Sequence, residues 1–274
     1  MLPALPQIAL ALGGILPATV NASAGVRGGV LVREQIAWAT KRGVRAVQMD
    51  ATAAGVRPRE LDRSGRRDLA ALLRRSELSC SGLDLFIPPE HFVQVDKVDR
   101  AVSAVVEALE MAAELSTLAS GAVVTRMGAG VLPVCLLLPT ETPASVRRTL
   151  AEHAERRGGR IADHAWPVHE DVDLSRTLAV GLDPAAILLA QGDPAQVAAQ
   201  LGERIVSARL TDVARGIGAT RVAPGSPSGR LDVLAYLVAI ATGAKLRFAT
   251  LDLHGVRGQA EAVGIALGAA SVVS

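Results

Sequence analysis

Eight short apolar runs, separated by segments with three- and four-residue apolar spacing, follow one another along 274 residues. Strands are expected at Gln7–Leu12, Arg45–Asp50, Leu78–Phe86, Leu132–Leu138, Arg160–Asp163, Leu178–Asp183, Ile205–Leu210 and Leu246–Leu253. Helices are expected at Val30–Arg42, Arg66–Arg75, Asp96–Leu115, Pro143–Arg157, Pro194–Gly202, Arg230–Thr242 and Gln259–Leu267. The clearest is Asp96–Leu115, where Val98, Val102, Val105, Leu109 and Ala112 fall on one face. Ser116–Gly130 reads only as a loop. Continuous apolar strands such as Leu132–Leu138 suit a parallel sheet covered by helices. Alternation without a composition shift favours one α/β domain closed as a (β/α)8 barrel. A dinucleotide-binding sheet is disfavoured, because no G-x-G-x-x-G follows a strand, and no phosphate-binding G-x-x-x-x-G-K-[ST] loop occurs.

The composition narrows the chemistry. Half the residues are hydrophobic but only 2% are aromatic, so the core must be aliphatic. A net charge of +2, with no basic run interleaved with aromatics, argues against a nucleic-acid surface. Cys80 and Cys135 lie inside strand-like runs and read as buried free thiols in a reducing, cytoplasmic setting. Ile8–Ile15 followed by Ala22-Ser23-Ala24 imitates a secretory leader. No Lys or Arg occurs in the first 26 residues, however, so Gln7–Leu12 is read as the first strand. No apolar run is long enough to span a membrane.

The segment Ile205–Asp212 (I-V-S-A-R-L-T-D) is read as a strand with Arg209 and Asp212 at its carboxyl end. Asp163, Asp183 and Asp252 end other strands. In a parallel barrel these termini share one mouth, where four charged side chains are expected to converge.

Several segments resemble the sugar phosphate isomerase/epimerase family, the xylose isomerase-like TIM barrels. They are G-V-R-A-V-Q-M-D at Gly43–Asp50, the stretch Arg57–Leu85, and above all Ile205–Leu253. That last segment has a strand ending in Asp212, then Val222-Ala223-Pro224-Gly225, Gly229-Arg230-Leu231-Asp232, and a final strand ending in an acid. The resemblance implies a divalent metal held at the ends of strands five to eight, at positions occupied here by Asp163, Asp183, Arg209 and Asp252. It also places Arg215 where some epimerases bind substrate. The departures are as informative. Arginine cannot ligate a metal, aspartates stand for the family's glutamates, and Ala186 replaces a histidine.

Three acids at one mouth need a cation to hold them ionised. Mg2+ or Mn2+ (or Ca2+) would suit the oxygen ligands Asp163, Asp183 and Asp252, and the Arg209 guanidinium would serve without any metal. The expected chemistry is proton transfer next to the carbonyl of a sugar or sugar phosphate. Asp163 and Asp252 would act as base and acid, His254 is the best-placed imidazole, and Arg209, Arg215 and Asp212 would contact substrate. Plainer readings stand beside these. Asp183 could cap a helix, Asp212 could fix a loop, and His164 and His169 could be loop histidines rather than metal ligands beside Asp163. The alternative function is a sugar-binding barrel without catalysis. The abasic-site endonuclease branch of the superfamily needs a larger His/Glu/Asp set than the sequence offers. A homodimer through the loops Ala51–Arg63 and Ser116–Gly130 would fit the family's habits.

Overall fold

The structure is a computed structural model that describes residues 4–15, 28–119, 131–169, 177–216 and 220–271. Eight parallel strands form a closed barrel: β1 (Gln7–Ala11), β2 (Ala46–Asp50), β3 (Ser79–Asp84), β4 (Pro133–Leu136), β5 (Arg160–Asp163), β6 (Leu178–Leu182), β7 (Ile205–Leu210) and β10 (Phe248–Leu251). Their order around the barrel is β1-β10-β7-β6-β5-β4-β3-β2. A two-stranded antiparallel pair, β8 (Asp212–Val213) and β9 (Arg221–Val222), is inserted after β7. The helices are α1 (Gly28–Lys41), α2 (Arg63–Arg75), α3 (Val98–Ala119), α4 (Ala144–Arg156), α5 (Pro184–Leu189), α6 (Pro194–Leu201), α7 (Val233–Ala239) and α8 (Gln259–Ser271).

Two side-chain contacts establish which face of each strand lies inside. Gln48 Nε2 donates to Cys135 Sγ at 3.3 Å, and Cys135 Sγ to Ser207 Oγ at 3.3 Å. These residues sit on β2, β4 and β7, which are not neighbours, so the bonds cross the interior. Register partners share a face, and alternate residues take opposite faces. Ala11, Asp50, Gly82, Asp84, Ala162, Gly181, Arg209 and Thr250 therefore point inward. Leu10, Val47, Met49, Leu83, Val134, Leu136, Ile161, Val180, Leu210 and Leu251 point outward and are at most 2% exposed. These Leu, Val and Ile side chains against the helix ring form the aliphatic core that so few aromatics demand, each worth about 1.5–3 kcal/mol when buried.

Aspartates start four helices. Asp62 accepts from Gly65 N at 2.8 Å, Asp193 from Ala195 N at 2.8 Å, and Asp232 from Ala235 N at 2.9 Å. Asp183 caps α5, a helix that escapes a periodicity search because it spans only Pro184–Leu189. α3 runs through Ala119, past its expected end, whereas the rest of the expected loop, 120–130, lies outside the described residues. Among the described residues no helix is long and apolar enough to cross a membrane.

Candidate active site at the barrel mouth

Arg209 organises the carboxyl end of the barrel. Its Nη2 donates to Asp84 Oδ1 at 3.0 Å, and its Nη1 lies 3.7 Å from Asp183 Oδ2 and 4.0 Å from Asp252 Oδ2. In the strand order β3 and β7 are diametrically opposed, so the guanidinium spans the opening. Burial alone would depress its pKa, but Asp84, Asp252 and Asp183 together raise it above the ordinary arginine value. Tyr236, fully buried on α7, donates its hydroxyl to the Arg209 carbonyl at 3.0 Å and fixes this part of β7.

Each acid has its own environment. Asp183 Oδ1 accepts from Thr211 Oγ1 at 2.5 Å and from Ala185 N at 3.0 Å, which leaves Oδ2 between Arg209 and Arg221 Nη2, the latter at 3.6 Å. Burial raises the Asp84 pKa more than the Arg209 charge lowers it. Burial also works against ionised Asp252, yet hydrogen bonds from His254 and the charge of Arg209 hold it well below the usual carboxylate range. Both Nδ1 and the backbone N–H of His254 lie 3.0 Å from Asp252 Oδ1. That contact raises the His254 pKa. The ring lies against the Gly13-Gly14 turn. A Cβ on Gly14, whose φ is +73°, would come within 2.7 Å of it.

Asp163 is not part of this array. It pairs in register with Leu136 and Val180, outward-facing residues, so its carboxylate leaves the mouth. There Oδ1 accepts from the amides of Leu138 at 3.0 Å and Ala165 at 3.1 Å, and Oδ2 stands 3.6 Å from His169 Nε2. Burial pushes its pKa up to about 6, with the two amides opposing. The expected convergence of Asp163 with Asp183, Arg209 and Asp252 is thus corrected. β5 contributes His164, one residue later and on the other face. The ring of His164 lies flat over Gly181, where a Cβ would come within 2.4 Å of it. It is 2% exposed, and burial followed by the Arg209 charge lowers its pKa well below the ordinary imidazole value, against a smaller opposing contribution from the Leu182 backbone.

Asp212 and Arg215 hold the inserted hairpin. Asp212 is 1% exposed, and its Oδ1 accepts from the amides of Val213, Arg230 and Leu231 at 2.7–2.9 Å. Arg215 Nε donates to the Gly229 carbonyl at 2.8 Å. Both are engaged with this loop's backbone, so the plainer loop-fixing reading of Asp212 fits its placement.

These residues do not suit a divalent ion. The carboxylates of Asp84, Asp183 and Asp252 already face a guanidinium, and Asp163 looks elsewhere. Among the described residues no group of three or more His, Cys, Asp or Glu side chains is arranged to hold a metal. Two members of the mouth escaped the sequence reading. Asp84 was hidden because its strand was drawn on to Phe86. Arg221 lies on a two-residue strand with no sequence signal of its own.

No protein-family model matches the chain, and a comparison with curated protein sequences finds no match. Solved structures do match. A xylose isomerase domain protein from Planctomyces limnophilus superposes with a TM-score of 0.68 at 16% identity, covering 97% of this chain and 96% of that one. D-psicose 3-epimerase from Clostridium cellulolyticum H10, solved with D-tagatose, gives 0.65 at 11% identity with 96% of each chain covered. An L-ribulose 3-epimerase gives 0.63 at 12%, covering 90% and 81%. At such identities the likeness speaks to architecture: the chain has the fold of the xylose isomerase-like TIM barrels, here with a mouth built around Arg209.

Proposed function

We propose that this barrel moves a proton next to the carbonyl of a sugar, with a built-in guanidinium supplying the positive charge at the mouth. The observation that carries the reading is the chain of contacts from Arg209 to Asp252 to His254, at 4.0 and 3.0 Å. It ends in an imidazole Nε2 left without a hydrogen bond among the described residues.

In this reading neutral His254 is the base. Its Nδ1–H is held by Asp252, which fixes the tautomer with Nε2 as acceptor and stabilises the imidazolium once the proton is taken. Arg209 and Arg221 place positive charge where the enediolate oxygen would develop. Asp84, on β3, has a raised carboxyl pKa and replaces Asp163 as the acid that returns a proton from another direction. Ketoses are the substrate class to try first, because two of the structural neighbours are named for ketose epimerisation at C3.

The test is proton exchange. D-psicose and L-ribulose are incubated with the protein in D2O, with EDTA present, and the C3 proton is followed by NMR. The reading expects its loss at a rate that falls at least about hundredfold in His254→Gln, the scale of general acid–base catalysis. No exchange with either sugar would defeat it.

One observation favours a second reading. The guanidinium of Arg209 already faces three carboxylates, and its side chain is 16% exposed, which leaves little of it for a substrate oxygen. A sugar-binding barrel without turnover would look the same, and saturable ketose binding without exchange would identify it.

A further inference from the structure

Two glutamines, one from the first helix and one from the last, tie down the turn after β1. Gln35, on α1 and 5% exposed, donates Nε2 to the Leu12 carbonyl at 3.0 Å and to the Ile15 carbonyl at 2.8 Å. Gln259, at the start of α8, donates Nε2 to the Gly14 carbonyl at 3.0 Å and reaches the Leu253 carbonyl at 3.4 Å. Leu253 immediately precedes His254, and β1 and β10 are paired neighbours in the barrel. Gln259 therefore fastens the turn to the segment that carries the imidazole.

The turn covers one face of that imidazole. From the place a Cβ would take on Gly14, the His254 atoms Cδ2, Nε2 and Cε1 lie at 2.7, 2.8 and 3.1 Å. Near-equal distances to three consecutive ring atoms put the glycine over the ring plane rather than beyond its edge. The lone pair of Nε2, which lies in that plane, is left uncovered. The corresponding position on Gly13 is 3.0 Å from Cε1, and Asp252 holds Nδ1. The His254 side chain is nonetheless 53% exposed, so solvent alone would allow it several rotamers. Only the one resting on the turn satisfies all of these contacts.

We infer that Gln259 is a positioning residue for this site: by holding the Gly14 carbonyl it keeps the turn against the imidazole, and Nε2 in the orientation from which it takes a substrate proton. The inference rests on the proposed role of His254 as base. Proton transfer needs its heavy atoms about 2.6–3.2 Å apart, so a small displacement of the ring is costly to the rate. The cost to stability is small, because a Gly14 carbonyl that loses its donor turns to water.

The experiment is Gln259→Met in the full chain, which keeps the length of the side chain and removes the donor. Protons over an aromatic face resonate upfield, so the Gly14 Hα signals report the stack directly and without any sugar. In Gln259→Met they should move towards ordinary glycine positions. Exchange at C3 of D-psicose or L-ribulose should fall about ten- to hundredfold, in kcat rather than KM. Gln259 is half-buried, and an unchanged Tm checks that the fold survives. Gly14 signals without an upfield shift in the unsubstituted protein, or a shift that survives in Gln259→Met, would overturn the inference. So would an exchange rate indifferent to loss of the stack. Absence of exchange in the unsubstituted protein would defeat the catalytic reading instead, and the Gly14 signals would then decide the positioning alone.

Discussion

Arg209 and Asp84 come from strands that face each other across the barrel, and their 3.0 Å contact ties the two halves of the mouth together. The guanidinium faces Asp84, Asp183 and Asp252 together, so the charge balance of the mouth depends on it.

Arg209→Met is expected to cost about 3–5 kcal/mol at pH 7.5, because it leaves buried carboxylates without their counter-charge. The acids would then have folded-state pKa values above their unfolded ones. Groups shifted that way favour the fold at low pH and lose that contribution as pH rises through the folded pKa. The deficit measured by urea unfolding should therefore shrink at pH 5. An equal deficit at both values would mean that the loss is one of packing.

Asp252→Asn should bring the His254 pKa down, since the hydrogen bond to Asp252 is what raises it. In the unsubstituted protein this histidine stabilises the fold below its unfolded pKa and stops doing so as pH climbs past the folded value. An NMR titration of the imidazole reads the change directly. Ketose proton exchange, if present, should shift its pH profile in the same direction.

Gly181→Ala would put a methyl group 2.4 Å from the His164 ring, closer than any real contact. Overpacking of this kind costs about 1–3 kcal/mol. The added substitution His164→Ala should recover stability relative to Gly181→Ala alone, as thermal unfolding of the two variants would show. If the double variant is less stable than the single, the ring does not lie over Gly181.

Tyr236→Phe removes the one hydroxyl that meets the Arg209 carbonyl. A loss of about 1–2 kcal/mol is expected, because the acceptor stays buried without a donor. If the contact positions β7, the variant should also weaken ketose binding, although Tyr236 belongs to the outer helix layer.

The barrel was legible because strands such as Gln7–Ala11, Pro133–Leu136 and Leu178–Leu182 are short apolar runs that alternate with helical segments. Arg160–Asp163 and Ile205–Leu210 match the expected limits, and the others shift by one to a few residues at their ends. The first strand, Gln7–Ala11, pairs with β2 and β10, so the leader-like run at Ile8–Ile15 enters the barrel. The mouth was only half legible. Arg209, Asp183, Asp252 and His254 meet as expected, whereas Asp163 shows that ending a strand does not decide which face a side chain takes. A one-residue change of phase turns it from the axis to the helices and brings His164 in its place. Asp84 obeys the same rule that picked the other acids, and a strand stopped two residues earlier would have found it. Arg221 could not be read locally, since its role depends on the inserted hairpin folding back towards Asp183.

The polar relay beneath the mouth has a practical consequence. Cys135 is completely enclosed between Gln48 and Ser207, and burial pushes its thiol up to about 12, so almost no thiolate is present near neutrality. An alkylating reagent can modify it only when strands separate. Labelling kinetics at this one sulfur therefore time the parting of the strands themselves, a clock already wired into the natural sequence.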